Sequence, residues 1–173
     1  RLEQGVAPGV LVKAALWPLG FWLPRTYAST APAVAALFAI MTKVGVYSLI
    51  RMTTLIFGAG AGPLAWMSAR WMLPASLLTV LVGFIGLLSA RGLREQAAFG
   101  IVGSTGTLLV AVSLFEPRAM AAALYYLPHS TLAGALLFLV ADMVARRRAD
   151  QGDVITVGPR FADIEGISLL YLL

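Results

Sequence analysis

The stretch AVAALFAIMTKVGVYSLIRMTTLIF, residues 33–57, decides the fold. It is longer than the ~20 residues with which an α-helix crosses a hydrocarbon core about 30 Å thick. Its only charged residues are Lys43 and Arg51. The apolar positions do not alternate, and a barrel lumen would demand a polar residue at every second place, so a strand is not predicted. Four further stretches share this character: 6–23, with Lys13 and Pro18; 72–90; 97–115; and 119–145, with Pro128, His129 and Asp142. From about residue 166 another apolar run extends to Leu173. The sequence thus predicts an all-α integral membrane protein. Its expected form is a polytopic bundle of five full transmembrane helices and the start of a sixth, with residues 1–173 forming part of one membrane domain.

Composition agrees. Of the 173 residues 60% are apolar and 12% charged, with a mean hydropathy of +0.86; soluble domains carry roughly 25% charged residues. The absence of cysteine excludes disulfide scaffolds, thiolate metal sites and thiol nucleophiles, and a single histidine leaves little for a zinc or haem site. No metal and no cofactor is expected, and no phosphate-binding loop, dinucleotide fingerprint or nucleophile elbow occurs. A net charge of +5 would suggest nucleic acid in a soluble protein; here it reads as arginines anchoring loops at a membrane face. The chain opens Arg-Leu-Glu and ends within an apolar run, so a piece of a longer membrane protein is expected.

Turn chemistry separates the spans: Pro24 and Pro32 bracket the first loop, Gly58-Ala-Gly-Ala-Gly-Pro63 makes the second, Arg91-Gly-Leu-Arg94 the third and Glu116-Pro-Arg118 the fourth. Seven arginines follow spans one, three and five: Arg25, Arg91, Arg94, Arg146, Arg147, Arg148 and Arg160. Only Arg1, Arg70 and Arg118 lie on the other side. The positive-inside bias therefore predicts that the loops after spans one, three and five are cytoplasmic.

The two lysines, Lys13 and Lys43, both lie inside apolar spans, and every other cation is arginine. A lysine at a helix centre costs at least about 2.5–3.5 kcal/mol on insertion scales, so it normally faces a polar interior or water. Lysine can surrender its proton when desolvated and arginine cannot, so this division of labour suits a proton carrier. Either lysine could instead be a structural counter-ion, and Lys13 could snorkel to an interface, which fits the central Lys43 poorly. A partner acid is absent from the first four predicted spans and is expected from elsewhere.

Lys43, Tyr47 and Arg51 are spaced i, i+4, i+8 and are predicted to share a face, with Thr53 and Thr54 continuing it. They could line a hydrated half-channel, or Arg51 could simply reach the outer interface. Pro18 and Pro128 each remove a backbone donor within a span, so a kink or break is expected at both. His129 follows Pro128 directly and has two readings, proton relay or hydrogen-bonded packing residue. Gly103-Ser104-Thr105-Gly106 offers either close helix packing or a loosened polar turn. Asp142 is expected to pair with the arginines that follow it.

Several of these segments resemble one family. They are Lys13-Ala-Ala-Leu-Trp-Pro-Leu-Gly-Phe-Trp-Leu-Pro24 with Tyr27 and Ala31-Pro32; Thr42-Lys43-Val-Gly-Val-Tyr-Ser-Leu-Ile-Arg51; Thr53-Thr54-Leu-Ile-Phe57; Leu124-Tyr-Tyr-Leu-Pro-His129-Ser-Thr-Leu132; and Leu137-Phe-Leu-Val-Ala-Asp142. Together they look like the antiporter-like membrane subunits of multisubunit Na⁺/H⁺ antiporters, complex I and membrane hydrogenases, and most like the D-type antiporter subunits. The resemblance implies helices seven to eleven of fourteen and the start of the twelfth. It further implies a multi-pass subunit of a hetero-oligomeric complex in a bacterial cell membrane, with protons and monovalent cations as cargo and no catalytic centre. A proton-pumping subunit of a redox-driven complex is the alternative. The seventh- and eighth-helix lysines of the family map onto Lys13 and Lys43, and its eleventh-helix histidine onto His129. Ser104 and Thr105 are possible supporting residues beside Tyr47 and Arg51. The chain departs from the family at Gly20 and at Ser104, where relatives carry histidine.

Overall fold

The computed structural model describes residues 20, 22–55, 69–148, 152–156 and 164–172. Among them the chain is almost wholly helical. The elements are α1 (Leu23–Ser29), α2 (Pro32–Leu55), α3 (Ala69–Ser89), α4 (Leu93–Ser113), α5 (Pro117–Arg147) and α6 (Ile164–Leu172). Four of them, α2 to α5, are long and apolar enough to cross a membrane. Most of the first predicted span, with Lys13 and Pro18, lies outside the described residues.

Prolines and polar residues start the helices. Pro24, Pro32 and Pro117 stand in first turns, where a missing N–H costs nothing. Glu95, in the first turn of α4, reaches back to accept the Arg91 N–H at 3.0 Å. The last turn of α5 carries Arg146 and Arg147, which complement the negative end of the helix dipole.

Three expectations need correction. The segment after Pro24 is a two-turn helix, α1, instead of a loop. The fourth helix begins at Leu93, so Arg94 and Glu95 are helical; Glu95 serves the cap, and the Arg94 guanidinium pairs with Asp142. Of the kink or break expected at Pro128, the break does not occur: α5 runs continuously from Pro117 to Arg147. Proline there forfeits a single backbone bond, to the Leu124 carbonyl. Just beyond it Ser130 and Thr131 donate their hydroxyls to the Leu127 carbonyl at 3.2 and 2.6 Å, holding the local turn together.

The bundle is organised around α4, which packs most extensively on α3 and also touches α1, α2 and α5. Its interior falls into two apolar clusters. One joins Leu23, Tyr27, Ala35 and Ala39 to Ala98, Ile101 and Phe138. The other joins Val46, Leu49 and Ile50 to Met72, Leu108, Leu109 and Val112. Along both α2 and α4 a polar layer separates the two, and this layer holds the site. The outer face of α3 exposes Trp71, Leu81, Phe84, Ile85 and Leu88, an apolar surface suited to lipid.

A short segment closes the arginine-rich end. Val154 forms an antiparallel bridge with Gly92. Leu93 N–H donates to the Asp153 carbonyl at 2.8 Å and Ile155 N–H to the Arg91 carbonyl at 2.9 Å. The Asp153 carboxylate accepts the Arg94 N–H at 3.2 Å, capping α4 from a distance in sequence. Arg148 completes the closure by donating to the carbonyls of Val154 and Thr156 at 2.8 and 2.6 Å.

Candidate functional site

Lys43 is 2% exposed, near the middle of α2, and is among the largest fully enclosed side chains of the described residues. Ala39 and Val46 flank it on the same helix and belong to the two apolar clusters, so its stem is packed on both sides. Its ammonium crosses to α4, where Nζ donates to Ser104 Oγ at 2.7 Å and to Thr105 Oγ1 at 3.3 Å. Ser104 spends its own proton on the Ile101 carbonyl at 2.9 Å, which leaves its oxygen lone pairs for the lysine. Thr105 is fully buried.

The chemistry of this triad follows from its partners. Among the described residues the acids are Glu95, Glu116, Asp142, Asp153 and Glu165, all near helix ends or in the closing segment. Lys43 is therefore held by neutral hydroxyls. A carboxylate would favour the ammonium strongly, whereas a hydroxyl can accept from an ammonium or, after rotating, donate to a free amine. Such a site accommodates both protonation states without rearranging the backbone.

On its other side Lys43 borders a cavity of about 380 Å³ between α2 and α5, whose walls include Tyr47, Leu127, Pro128 and Thr131. The predicted row Lys43, Tyr47, Arg51 is thus only partly one surface. Each step of four residues turns about 40° around the helix. Lys43 is buried, Tyr47 is half-exposed at the cavity and Arg51 is exposed. His129 does not join Lys43; it is exposed on α5, its ring 5.9 Å from that of Tyr126. Asp142 meets Arg146 at 2.8 Å as expected, and also Arg94 of α4 at 3.3 Å.

One contact went unpredicted. The Tyr27 hydroxyl lies 2.6 Å from Thr42 Oγ1 and donates to the Phe38 carbonyl at 2.8 Å, immediately beside Lys43. Burial pushes the Tyr27 phenol up, outweighing the opposing effect of the Thr42 hydrogen bond, so it stays a neutral hydroxyl. Two residues on either side of a turn carry no periodic signal of such a pairing.

Comparison with known proteins places this geometry. Residues 2–159 match the family described as NADH:quinone oxidoreductase/Mrp antiporter, transmembrane. The chain is 42% identical, over 85% of its length, to a protein of Rhizobium meliloti (strain 1021) named as the probable D subunit of a K⁺/H⁺ antiporter. It is 34% identical over 78% of its length to the D subunit of the Na⁺/H⁺ antiporter of Alkalihalophilus pseudofirmus. It spans 27% of the length of each of these relatives. Among solved structures it resembles a chain of the Mrp complex from Dietzia sp., with a TM-score of 0.71 and 31% identity over 79% of this chain and 25% of that one. An archaeal membrane-bound sulfane sulfur reductase shares the fold, with a TM-score of 0.80 at 21% identity over 95% of this chain and 33% of that one. By the extent of the match and the agreement of its relatives, the chain belongs to the NADH:quinone oxidoreductase/Mrp antiporter transmembrane family.

Proposed function

We propose that this chain is part of the membrane subunit of a multisubunit monovalent cation/H⁺ antiporter, moving protons along buried lysines in exchange for Na⁺, K⁺ or Li⁺. The observation that carries this reading is Lys43: a cation enclosed at mid-span, bound by two hydroxyls that suit either of its protonation states. The names of the relatives, D subunits of K⁺/H⁺ and Na⁺/H⁺ antiporters, supply the reaction class.

In this reading the chain contributes five transmembrane helices and the start of a sixth to one antiporter-like domain, with the loops bearing Arg25, Arg91 and Arg146–Arg148 in the cytoplasm. Lys13 and Lys43 are successive proton stations. His129, exposed on α5, is a further station of the same pathway. Ser104 and Thr105 support Lys43, while Tyr47 and Arg51 line the way from the cavity to the outer face.

The test is proton-coupled cation flux in vesicles containing the full-length protein in its assembled complex. Lys43→Ala is expected to abolish flux with assembly intact. Lys43→Arg is expected to fail as well, because arginine keeps its proton at every working pH. Full flux through the arginine variant would refute proton transfer at this position.

A further inference from the structure

We propose that Gly83, on α3, is a positioning residue for proton transfer at Lys43, acting through the close approach of α3 to α4. This rests on the reading of Lys43 as a proton station.

The argument starts from where the hydroxyls sit. Ser104 and Thr105 lie between Gly103 and Gly106 on α4. At 100° per residue, the two glycines mark one side of the helix and the two hydroxyl residues the opposite half. The glycine side is pressed against α3. A Cβ added at Gly83 would lie 2.5 Å from the Gly103 nitrogen and 2.6 Å from its Cα. One added at Gly106 would lie 2.7 Å from the Val80 nitrogen. Both obstacles are backbone, so no rotamer change can relieve them. Any added bulk must push the 103–106 turn away from α3, and that turn carries both acceptors of the Lys43 ammonium.

The contact is asymmetric. A Cβ at Gly103 would meet nothing nearer than the Gly83 Cα at 3.9 Å, and one at Gly100 would stand in open space. What matters is therefore small size at Gly83 on α3 and at Gly106 on α4, and small size at Gly103, next to Ser104, is not required. If backbone freedom in the Gly103–Gly106 turn were the important property, Gly103 would be the sensitive position instead.

The experiment measures the pH profile of proton-coupled cation flux in vesicles holding the full-length assembled complex. Gly83→Ala is expected to lower flux by about tenfold or more and to displace the profile, as a shift of under an ångström in a transfer geometry does. Gly103→Ala and Gly100→Ala are expected to leave both unchanged. Against a Ser104→Ala background the displacement by Gly83→Ala should shrink, because the nearer of the two acceptors through which it acts is gone. An unmoved profile in Gly83→Ala, or an undiminished displacement in the double variant, overturns the proposal. Should Gly83→Ala fail to assemble, Val80→Ala decides: it removes the Cγ2 atom 2.8 Å from the Cβ position of Gly106 and so loosens the same contact without crowding. Its profile is expected to move, and by less where Ser104 is replaced by alanine; no movement, or an undiminished one in that background, overturns the proposal. Persistent flux in Lys43→Ala would instead bring down the reading of Lys43 itself, a separate result.

Discussion

Lys43 and Arg94 are both cations held against a neighbouring helix, and they are held in opposite ways. Lys43 is sealed between two apolar clusters and bound by neutral hydroxyls of α4. Arg94 stands at the arginine-rich end, partly in solvent, and meets the carboxylate of Asp142, which Arg146 shares. A fixed charge is best matched by a fixed opposite charge. A charge that must come and go needs partners that donate and accept equally well. The protein places arginine and aspartate where helices are tied together, and lysine, serine and threonine where the proposed function has a proton exchanged.

The harshest way to break this comparison is to give the first region the chemistry of the second. Ser104→Asp sets a carboxylate against the Lys43 ammonium. By fixing the charge it is expected to reduce proton-coupled cation flux by about a hundredfold, since an opposite charge at contact shifts a proton equilibrium by about 1–3 units. Assembly checked by native electrophoresis should be unaffected; near-normal flux would mean that neutral partners are not required.

The converse change removes the fixed charge from the second region. Asp142→Asn leaves Arg94 and Arg146 without their carboxylate. With Asp142 partly buried, the expected loss is about 1–3 kcal/mol of stability, read as a lower midpoint of thermal unfolding. Flux per assembled complex should stay near normal. A collapse of flux without loss of stability would show that this pair takes part in transport.

A third variant sharpens the contrast with hydroxyls that carry no charge at all. Tyr27→Phe deletes the phenol that contacts Thr42 and Phe38, and is expected to cost about 1 kcal/mol at neutral pH. Burial raises the Tyr27 phenol, so the native state favours the protonated form more than the unfolded chain does. Stability is therefore expected to fall as pH rises through the ordinary tyrosine range near ~10, and the phenylalanine variant should lack that decline. The check is a series of unfolding midpoints across that range.

Much of this is legible in the sequence. Length and apolarity identify α2 to α5, because a bilayer demands continuous apolar helices whatever their neighbours. Lys43 stands out because a charge in such a span has to be accounted for. Helix ends are harder to read. Arg94 and Glu95 look like loop residues until Asp153, far along the chain, is seen capping the same turn. Pro128 looks like a break because sequence cannot say whether the surrounding turns will hold. Ser104 stands out in sequence within the Gly103–Gly106 stretch and as a departure from some relatives that carry histidine there, but nothing in the sequence says which side chain it meets. Its bond to Lys43 spans 61 positions and becomes visible only when α2 and α4 are packed. The contact of Tyr27 with Thr42 depends in the same way on how the chain turns at Pro32.

The polar layer between the two apolar clusters has a further consequence, for alignment. Apolar helices packed in lipid have few means of choosing among neighbouring registers, since one leucine fits against another almost equally well one turn up or down. Sliding α2 along α4 by a turn would carry the Lys43 ammonium from Ser104 and Thr105 toward Ile101 or Leu108, both enclosed in hydrocarbon. The lysine then works as an index mark: it penalises misaligned pairings of the two helices, and so the residue to which we assign proton exchange also sets the alignment in which that exchange would take place.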